Sequence, residues 1–385
     1  MDFKNYLVPG KTGLLIGIGG VSMSPLAEVL HDAGLDIRGS DMAESSNTLT
    51  LRERGIPIHI GHSADNVTDD ISFVIRTAAV HDDNPEVHEA HRRGIPVFER
   101  TQAWGALMRG YQNALCISGT HGKTTTTSMC THIMMAAEKD PTVMIGGTLP
   151  LLKACHRVGK GNTIIMESCE YYNSFLALNP TIAVVLNIEA DHLDFFKDLE
   201  DIKHSFRCFA ERVPAETGTV IANYDDANTM DALRGIARKV ITFGLNAKAD
   251  VYAQNIVHRG SVSEFDIYHR GNYFARVTLH VPGIHNVRNA LAATAAAIVL
   301  GVSPNAVKYG LAGFEGAGRR FDFKGKFQGA DLYDDYAHHP SELRALLDAV
   351  DTLNYQRTIV VFQPHTYSRT AKLFNDFVEQ LHRPT

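Results

Sequence analysis

The stretch Leu115-Cys116-Ile117-Ser118-Gly119-Thr120-His121-Gly122-Lys123-Thr124-Thr125-Thr126-Thr127 constrains this chain more than any other. A short apolar run reads as a strand, a glycine-bearing turn follows, and Lys-Thr opens a helix that runs to about Ala137. That order is the architecture of a phosphate-binding loop. Gly119 and Gly122 let backbone N–H groups curl around an anion. The helix N-terminus adds its partial positive charge. Lys123 can reach the outer phosphates of a nucleotide, and the Thr124 hydroxyl is placed for Mg²⁺. The common form is G-x-x-x-x-G-K-[ST]. Here Ile117 stands at the first glycine, which leaves the shorter G-x-x-G-K-T. An ordinary strand–turn–helix with a surface lysine is the competing reading. The ordered apolar strand, glycines, lysine and threonine favour a nucleotide.

A chain of 385 residues exceeds one ordinary core and implies two or three domains. Its 44% hydrophobic and 21% charged content is that of a soluble globular protein. A formal charge of −6 with no basic run argues against a nucleic-acid partner. No apolar run approaches the ~20 residues that span a bilayer, so no membrane partner is expected. Cys116, Cys130, Cys155, Cys169 and Cys208 are odd in number and form no C-x-x-C. They read as reduced thiols of a cytoplasmic protein. The start, Met1-Asp2-Phe3-Lys4-Asn5, does not read as a signal peptide.

Residues 11 to about 108 alternate strand and helix, which implies a parallel sheet flanked by helices. Strands are expected at Gly13–Ile18, Leu35–Gly39, Ile71–Thr77 and Ile95–Phe98, with a helix from about Pro25 to Asp32. The turn Gly17-Ile18-Gly19-Gly20 can hold a dinucleotide or another diphosphate, or be merely structural. Ser22 takes the third glycine of G-x-G-x-x-G, and Asp41 matches the acidic ribose position, so the dinucleotide reading stays open here.

The pattern restarts near Arg109. Thr163–Glu167 runs into Ser168-Cys169-Glu170, and Ile182–Ile188 runs into Glu189-Ala190-Asp191-His192. Both apolar runs deliver polar residues at their C-terminal ends, where ligands bind in open α/β sheets. Glu170 can coordinate Mg²⁺ or be a solvated turn residue. His192 can bind a cation or phosphate oxygen, or cap a helix. Residues 250–281 read as an antiparallel insertion. Pro282–Asn289 opens an Ala-rich helix with Asn286 and Asn289 on one face, as nucleotide ligands or as caps. Gly316–Arg320 reads as a flexible basic link and a domain boundary. Beyond it, strands at Ala330–Asp334 and Thr358–Phe362 start a further α/β domain. Two strands make a poor independent core, so a C-terminal truncation is expected.

Taken together, these motifs resemble the Mur ligase family, the ATP-dependent enzymes that add amino acids to the peptidoglycan precursor. The matches are S-G-T-H-G-K-T-T-T-T (118–127), E-S-C-E-Y-Y-N-S-F-L (167–176) and N-I-E-A-D-H-L-D (187–194). They continue with G-I-H-N-V-R-N-A (283–290), G-R-R-F-D (318–322), D-D-Y-A-H-H-P (334–340) and Q-P-H-T-Y-S-R-T (363–370). They are most similar to the branch that joins L-alanine to UDP-N-acetylmuramate. The resemblance implies three α/β domains: a Rossmann-like UDP-sugar domain at 1–108, a central ATP-binding domain at 109–315 and a partial C-terminal domain at 316–385. It moves the first domain from NAD to a UDP-sugar, with Gly17, Gly19 and Gly20 on the pyrophosphate, Ser40 and Asp41 near the uridine and Thr77 at the nucleotide sugar. It implies an acyl-phosphate mechanism with ATP and Mg²⁺. Gly119, Thr120, His121, Gly122, Lys123, Thr124, Thr125, Asn286, Asn289, Arg320 and Asp335 would then contact ATP. Lys123, Glu170, His192 and Arg320 would be catalytic. Thr124 and Glu170 would hold one Mg²⁺, and Glu170 and His192 another. His338, His365 and Arg369 would face the amino acid, Arg369 through its α-carboxylate. Some relatives carry a carbamylated lysine where this chain has Phe206 and Arg207, so no carbamate is expected, and Arg207 would supply the charge. Two rivals remain: a recycling ligase that attaches a whole tripeptide, and a substrate-binding fragment with impaired turnover.

Overall fold

The computed structural model describes residues 2–77 and 79–383. The chain divides into two compact units, one of residues up to 112 with 156–158 and 177–179, the other holding the rest.

In the smaller unit, β1 (Thr12–Ile16), β2 (Asp36–Asp41), β3 (Ile58–Ile60), β4 (Ile71–Arg76) and β5 (Val97–Glu99) form a sheet ordered β3-β2-β1-β4-β5. Every pairing is parallel. Each residue of β1 is buried, as expected for a parallel strand covered on both faces. Helices α1 (Met23–Asp32), α2 (Ser46–Glu53), α3 (Pro85–Arg92) and α4 (Arg100–Met108) connect the strands. Local chemistry fixes their starts: Ser45 and Thr48 form a capping box for α2, and Asn84 caps α3 ahead of Pro85.

The second sheet is built from β6 (Asn113–Ser118), β7 (Thr142–Leu149), β8 (Ala154–Arg157), β9 (Thr163–Glu167), β10 (Ile182–Val185), β11 (Thr219–Asn223) and β12 (Lys239–Gly244). It continues with β13 (Val251–Arg259), β14 (Val262–His269) and β15 (Asn272–Leu279). Their sheet order is β15-β14-β13-β12-β11-β10-β6-β9-β7-β8. β6 lies between β9 and β10, parallel to both. The expected antiparallel segment at 250–281 is the meander β13–β15. Helices α5 (Lys123–Ala136), α6 (Leu199–Glu211), α7 (Ala227–Ala232), α8 (Ile284–Val299) and α9 (Pro304–Ala312) belong to this unit. The alanines of α8 are buried in the same core as Ile133 of α5 and Leu311 of α9. A Cβ at Gly310 of α9 would meet the Ile133 backbone at 2.5 Å, so only glycine permits that crossing.

The C-terminal part carries the strand expected at Ala330–Asp334 but not the one expected at Thr358–Phe362. β16 (Asp322–Phe327) and β17 (Ala330–Asp334) form an antiparallel ribbon, followed by α10 (Pro340–Asp351), α11 (Tyr367–Lys372) and α12 (Phe374–Leu381). Thr358–Phe362 is not a strand, and Ile359 and Val361 are 73% and 95% exposed. An apolar run becomes a strand only beside a backbone that completes its hydrogen bonds. Among the described residues none lies alongside this one.

Candidate functional site

The phosphate-loop motif sits where three strand ends meet. β6 delivers residues 119–122, and its neighbours β9 and β10 deliver Glu167–Glu170 and Asn187–His192. Gly119 and Gly122 have φ of +147° and +83°. A Cβ at Gly119 would lie 2.8 Å from Leu186 Cβ, and one at Gly122 2.7 Å from Asn289 Oδ1. Both positions therefore exclude larger residues on conformation and space together. Asn187 pins the loop: its Oδ1 accepts from His121 N at 2.7 Å and its carbonyl accepts from Thr120 N at 3.0 Å. The Thr120 hydroxyl accepts from Glu189 N at 2.9 Å.

Lys123 does not extend into solvent. Its ammonium donates to the carbonyls of Gly119 and Thr120 and to both oxygens of Glu170, at 2.9 and 3.1 Å. Burial works against this charge, but Glu170 outweighs it and holds the lysine above its ordinary value. Thr124, expected to share a Mg²⁺ with Glu170, makes its hydrogen bond to a different carboxylate. Thr124 Oγ1 donates to Glu167 Oε1 at 3.0 Å, while Glu167 Oε2 accepts from Gly146 N at 2.6 Å. The chain turns after β9, with Tyr172 and Asn173 in left-handed conformation, and Glu170 is aimed at the lysine. Sequence reasoning passed over Glu167. Its signal was its place as the last residue of an apolar run, the same signal that singled out Glu170.

His192 lies 3.8 Å from Glu170 Oε1 and stacks on Tyr171, ring centroids 4.3 Å apart. Desolvation, only partly offset by Asp191 and Glu170, lowers its pKa and favours the neutral imidazole. Arg207 does not add charge here. It donates to the carbonyls of Ala232 and Arg234 and pairs with Glu211. Phe206 is fully buried, and Lys203 pairs with Glu200 and Asp231.

A cavity of about 320 Å³ opens beside the loop. Its walls include His121, Gly122, Thr124, Thr125, Asn286, Asn289, Arg320 and Asp335, which the sequence had grouped, along with Phe243 and Phe314. Asn286 Nδ2 donates to the Pro282 carbonyl at 2.7 Å, and Asn289 Nδ2 donates to Asn286 Oδ1 at 3.3 Å. Asp335 accepts from Phe321 N and Ala337 N, at 2.7 and 2.8 Å. Burial pushes its carboxyl above the usual range. Arg320 lies over the Tyr336 ring, 5.4 Å from its centroid. His121 reaches across to the start of α10, with Glu342 at 3.3 Å and Ser341 Oγ at 2.9 Å. Burial opposes its protonation, yet Glu189 and Glu342 lift its pKa to about 9.

A second cavity of about 200 Å³ joins Tyr171, Asp191 and His192 to Tyr336, His338, His365 and Arg369. The Arg369 guanidinium, expected to face an α-carboxylate, is engaged within the protein. Its Nε and one Nη both donate to Asp191 Oδ1, at 2.9 and 2.8 Å, and Lys372 donates to the Leu193 carbonyl at 2.8 Å. Asp191 and Lys372 were not singled out from sequence.

In the smaller unit, Gly17, Gly19, Gly20, Ser40, Asp41 and Thr77 gather at the C-terminal ends of β1, β2 and β4. A Cβ at Gly17 would lie 2.9 Å from Thr77 Cγ2. Two of the groups are occupied within the protein. Gly19 N donates to Asp41 Oδ2 at 2.8 Å, and the fully buried Ser40 hydroxyl donates to Glu86 Oε2 at 2.7 Å. Ser40 therefore faces inward, contrary to its expected place at the uridine. Glu86, also fully buried, further holds His62 and Asn66.

A glycine loop with a buried lysine at the junction of three parallel strand ends, completed by a C-terminal segment, defines a phosphate-loop nucleotide-binding α/β protein. Family models match in chain order: the Mur ligase family catalytic domain over residues 15–112, the Mur ligase middle domain over 117–297 and the Mur ligase glutamate ligase domain over 319–384. The chain belongs to the Mur ligase family. It is 46% identical over 367 residues to the UDP-N-acetylmuramate–L-alanine ligase of Agathobacter rectalis, covering 95% of this chain and 80% of that protein. The enzyme of the same name from Clostridium novyi is 46% identical over 377 residues, covering 98% and 82%. The structure of the Thermotoga maritima UDP-N-acetylmuramate–alanine ligase superposes with a TM-score of 0.77 at 31% identity, over 94% of this chain and 83% of that one. A UDP-N-acetylmuramate:L-alanyl-γ-D-glutamyl-meso-diaminopimelate ligase from Neisseria superposes at 0.72 with 26% identity, over 80% and 99%.

Proposed function

We propose that this chain is an ATP-dependent, ADP-forming ligase that joins L-alanine to the carboxylate of UDP-N-acetylmuramate. The observation that carries this reading is the convergence of Lys123, Glu170 and His192 beside the phosphate loop, with His192 shared by the cavity that holds His338, His365 and Arg369. Sequence identity favours L-alanine over a tripeptide: 46% across nearly the whole chain against 26% for the tripeptide enzyme. The smaller unit, with Gly17, Gly19, Gly20, Asp41 and Thr77, takes the UDP moiety. ATP and UDP-sugars place the reaction in the cytoplasm. Among the described residues, no helix is long and apolar enough to cross a membrane.

The larger unit brings ATP's γ-phosphate to the muramate carboxylate. A carboxylate oxygen bonds to phosphorus as the bond to ADP breaks, giving an acyl phosphate. The alanine amine then attacks the acyl carbon, phosphate leaves, and the amine gives up a proton. Two anions must approach, so positive charge is the main requirement. Lys123 supplies it at the outer phosphates, and loop amides cradle the rest. Arg320, Asn286 and Asn289 bound the nucleotide cavity, and Asp335 holds the turn carrying Arg320. Arg369 exchanges Asp191 for the alanine carboxylate.

Thr124, Glu167, Glu170 and His192 would hold Mg²⁺. The fit rests on an oxygen-rich donor set and on Glu170, whose side chain is only 3% exposed with Lys123 as its close cationic partner. When bound, the ion neutralises phosphate charge.

The test is ADP release with UDP-N-acetylmuramate, ATP and L-alanine, singly omitted. Turnover requires all three and stops in Lys123→Ala. Release supported by the tripeptide but not by L-alanine would transfer the chain to the recycling branch.

A further inference from the structure

We infer a separate transition-metal site in the larger unit, formed by His121, Glu189 and His339 and suited to zinc. One ligand atom from each lies within 4.8 Å of the other two. Glu189 Oε2 is 3.4 Å from His121 Nε2 and 4.0 Å from His339 Nδ1. Those two ring nitrogens converge on one hydroxyl: Ser341 Oγ stands 2.9 Å from the first and 2.7 Å from the second. Two imidazoles and a carboxylate around a common point are a zinc donor set, with a fourth position left for water or Ser341. Bonds of about 2.0–2.1 Å in tetrahedral array separate ligand atoms by roughly 3.3 Å. The His121–Glu189 pair is already at that spacing, and His339, 4.0 Å from Glu189 and within 4.8 Å of His121, closes by at most about 1.5 Å. The far nitrogen of His339 is buried without a hydrogen-bond partner, so no bond there resists the adjustment.

This group differs in chemistry from the oxygen-rich Thr124, Glu167, Glu170 and His192. Nitrogen-rich sites favour zinc and its neighbours over magnesium. His121 and Glu189 line the nucleotide cavity, which gives an ion its route in. The ligands belong to the phosphate loop, the loop after β10 and the start of α10. A bound ion therefore staples the C-terminal segment to the phosphate loop.

The test is titration of the whole chain with Zn²⁺, without nucleotide, by calorimetry and thermal melting, with Co²⁺ as a spectroscopic substitute. One Zn²⁺ binds and raises the melting midpoint, and Co²⁺ shows tetrahedral d–d bands without thiolate charge transfer. His339→Ala and Glu189→Gln each weaken that binding at least tenfold, while Glu170→Gln retains it. Should His339→Ala fail to fold, Glu189→Gln decides, since that side chain is 37% exposed. No zinc binding, a thiolate band, unchanged affinity in both variants, or loss of the ion in Glu170→Gln overturns the site.

Discussion

Replacing Lys123 by Met tests whether the phosphate loop is held together by its own charges. Glu170 lies 2.9 Å from the ammonium, with a side chain 3% exposed. Its next cationic candidate is His192, 3.8 Å away and held toward neutrality by desolvation. Lys123→Met therefore leaves a buried, uncompensated carboxylate, which destabilises by about 3–5 kcal/mol. Glu170→Gln is milder, because the ammonium keeps the carbonyls of Gly119 and Thr120. About 1–2 kcal/mol is expected for that change. The double variant carries neither charge and recovers most of the Lys123→Met loss, leaving about 1–2 kcal/mol, so the double-mutant cycle yields a coupling of roughly 3–5 kcal/mol. The sole tryptophan, Trp104, lies in the smaller unit and is blind to this change. Hydrogen exchange of the α5 amides through a urea series is the suitable readout. Lys123→Met matching the unaltered protein, or a double variant no more stable than Lys123→Met, would refute the reasoning.

Three further substitutions probe neighbouring features. Gly122→Ala forces a Cβ into a left-handed position against Asn289; about 1–2 kcal/mol of strain is expected from the backbone alone, read as a lower melting midpoint with a raised KM for ATP. Arg369→Ala removes both bonds to Asp191, and the KM for L-alanine should rise at least tenfold with the KM for ATP unchanged; the reverse pattern would remove Arg369 from the amino-acid site. His132, in α5 against Phe314, has its pKa lowered from 6.5 to about 4 by burial. The folded value lies below the unfolded one, so its contribution is complete above about pH 6.5 and is lost as pH falls toward 4. The loss is roughly 2–3 kcal/mol, and His132→Gln should flatten the acid limb of a pH–stability profile.

Local chemistry made parts of this fold legible. The apolar run before Gly119, the Lys-Thr helix start and the Ala-rich α8 each declare themselves within one window, and Thr163–Glu167 is a strand with the bounds its sequence suggests. What escaped depends on partners distant in the chain. Arg369 and Asp191 are 178 residues apart, and nothing in either segment announces their pairing. Thr124 meets Glu167 rather than Glu170, a choice set by how β9 lies beside the phosphate loop, and the left-handed Tyr172 and Asn173 that follow carry no glycine to flag the turn. Thr358–Phe362 shows the opposite failure. β-branched composition reports the capacity to form a strand and cannot report whether a neighbour is there to pair with it.

Lys123 and Arg369, two cations proposed to meet ligands, share one condition: each is already neutralised from within. Lys123 is held by Glu170 and Arg369 by Asp191. A buried lysine or arginine without such a partner would be costly. In the proposed reaction the internal carboxylate would give way to a phosphate or a substrate carboxylate, so nucleotide binding would be an exchange rather than an addition. A phosphate in the loop would draw Lys123 from Glu170 and free two carboxylate oxygens beside His192 for a divalent cation. Nucleotide and cation would then raise each other's affinity by the same factor, with Glu170 carrying that coupling.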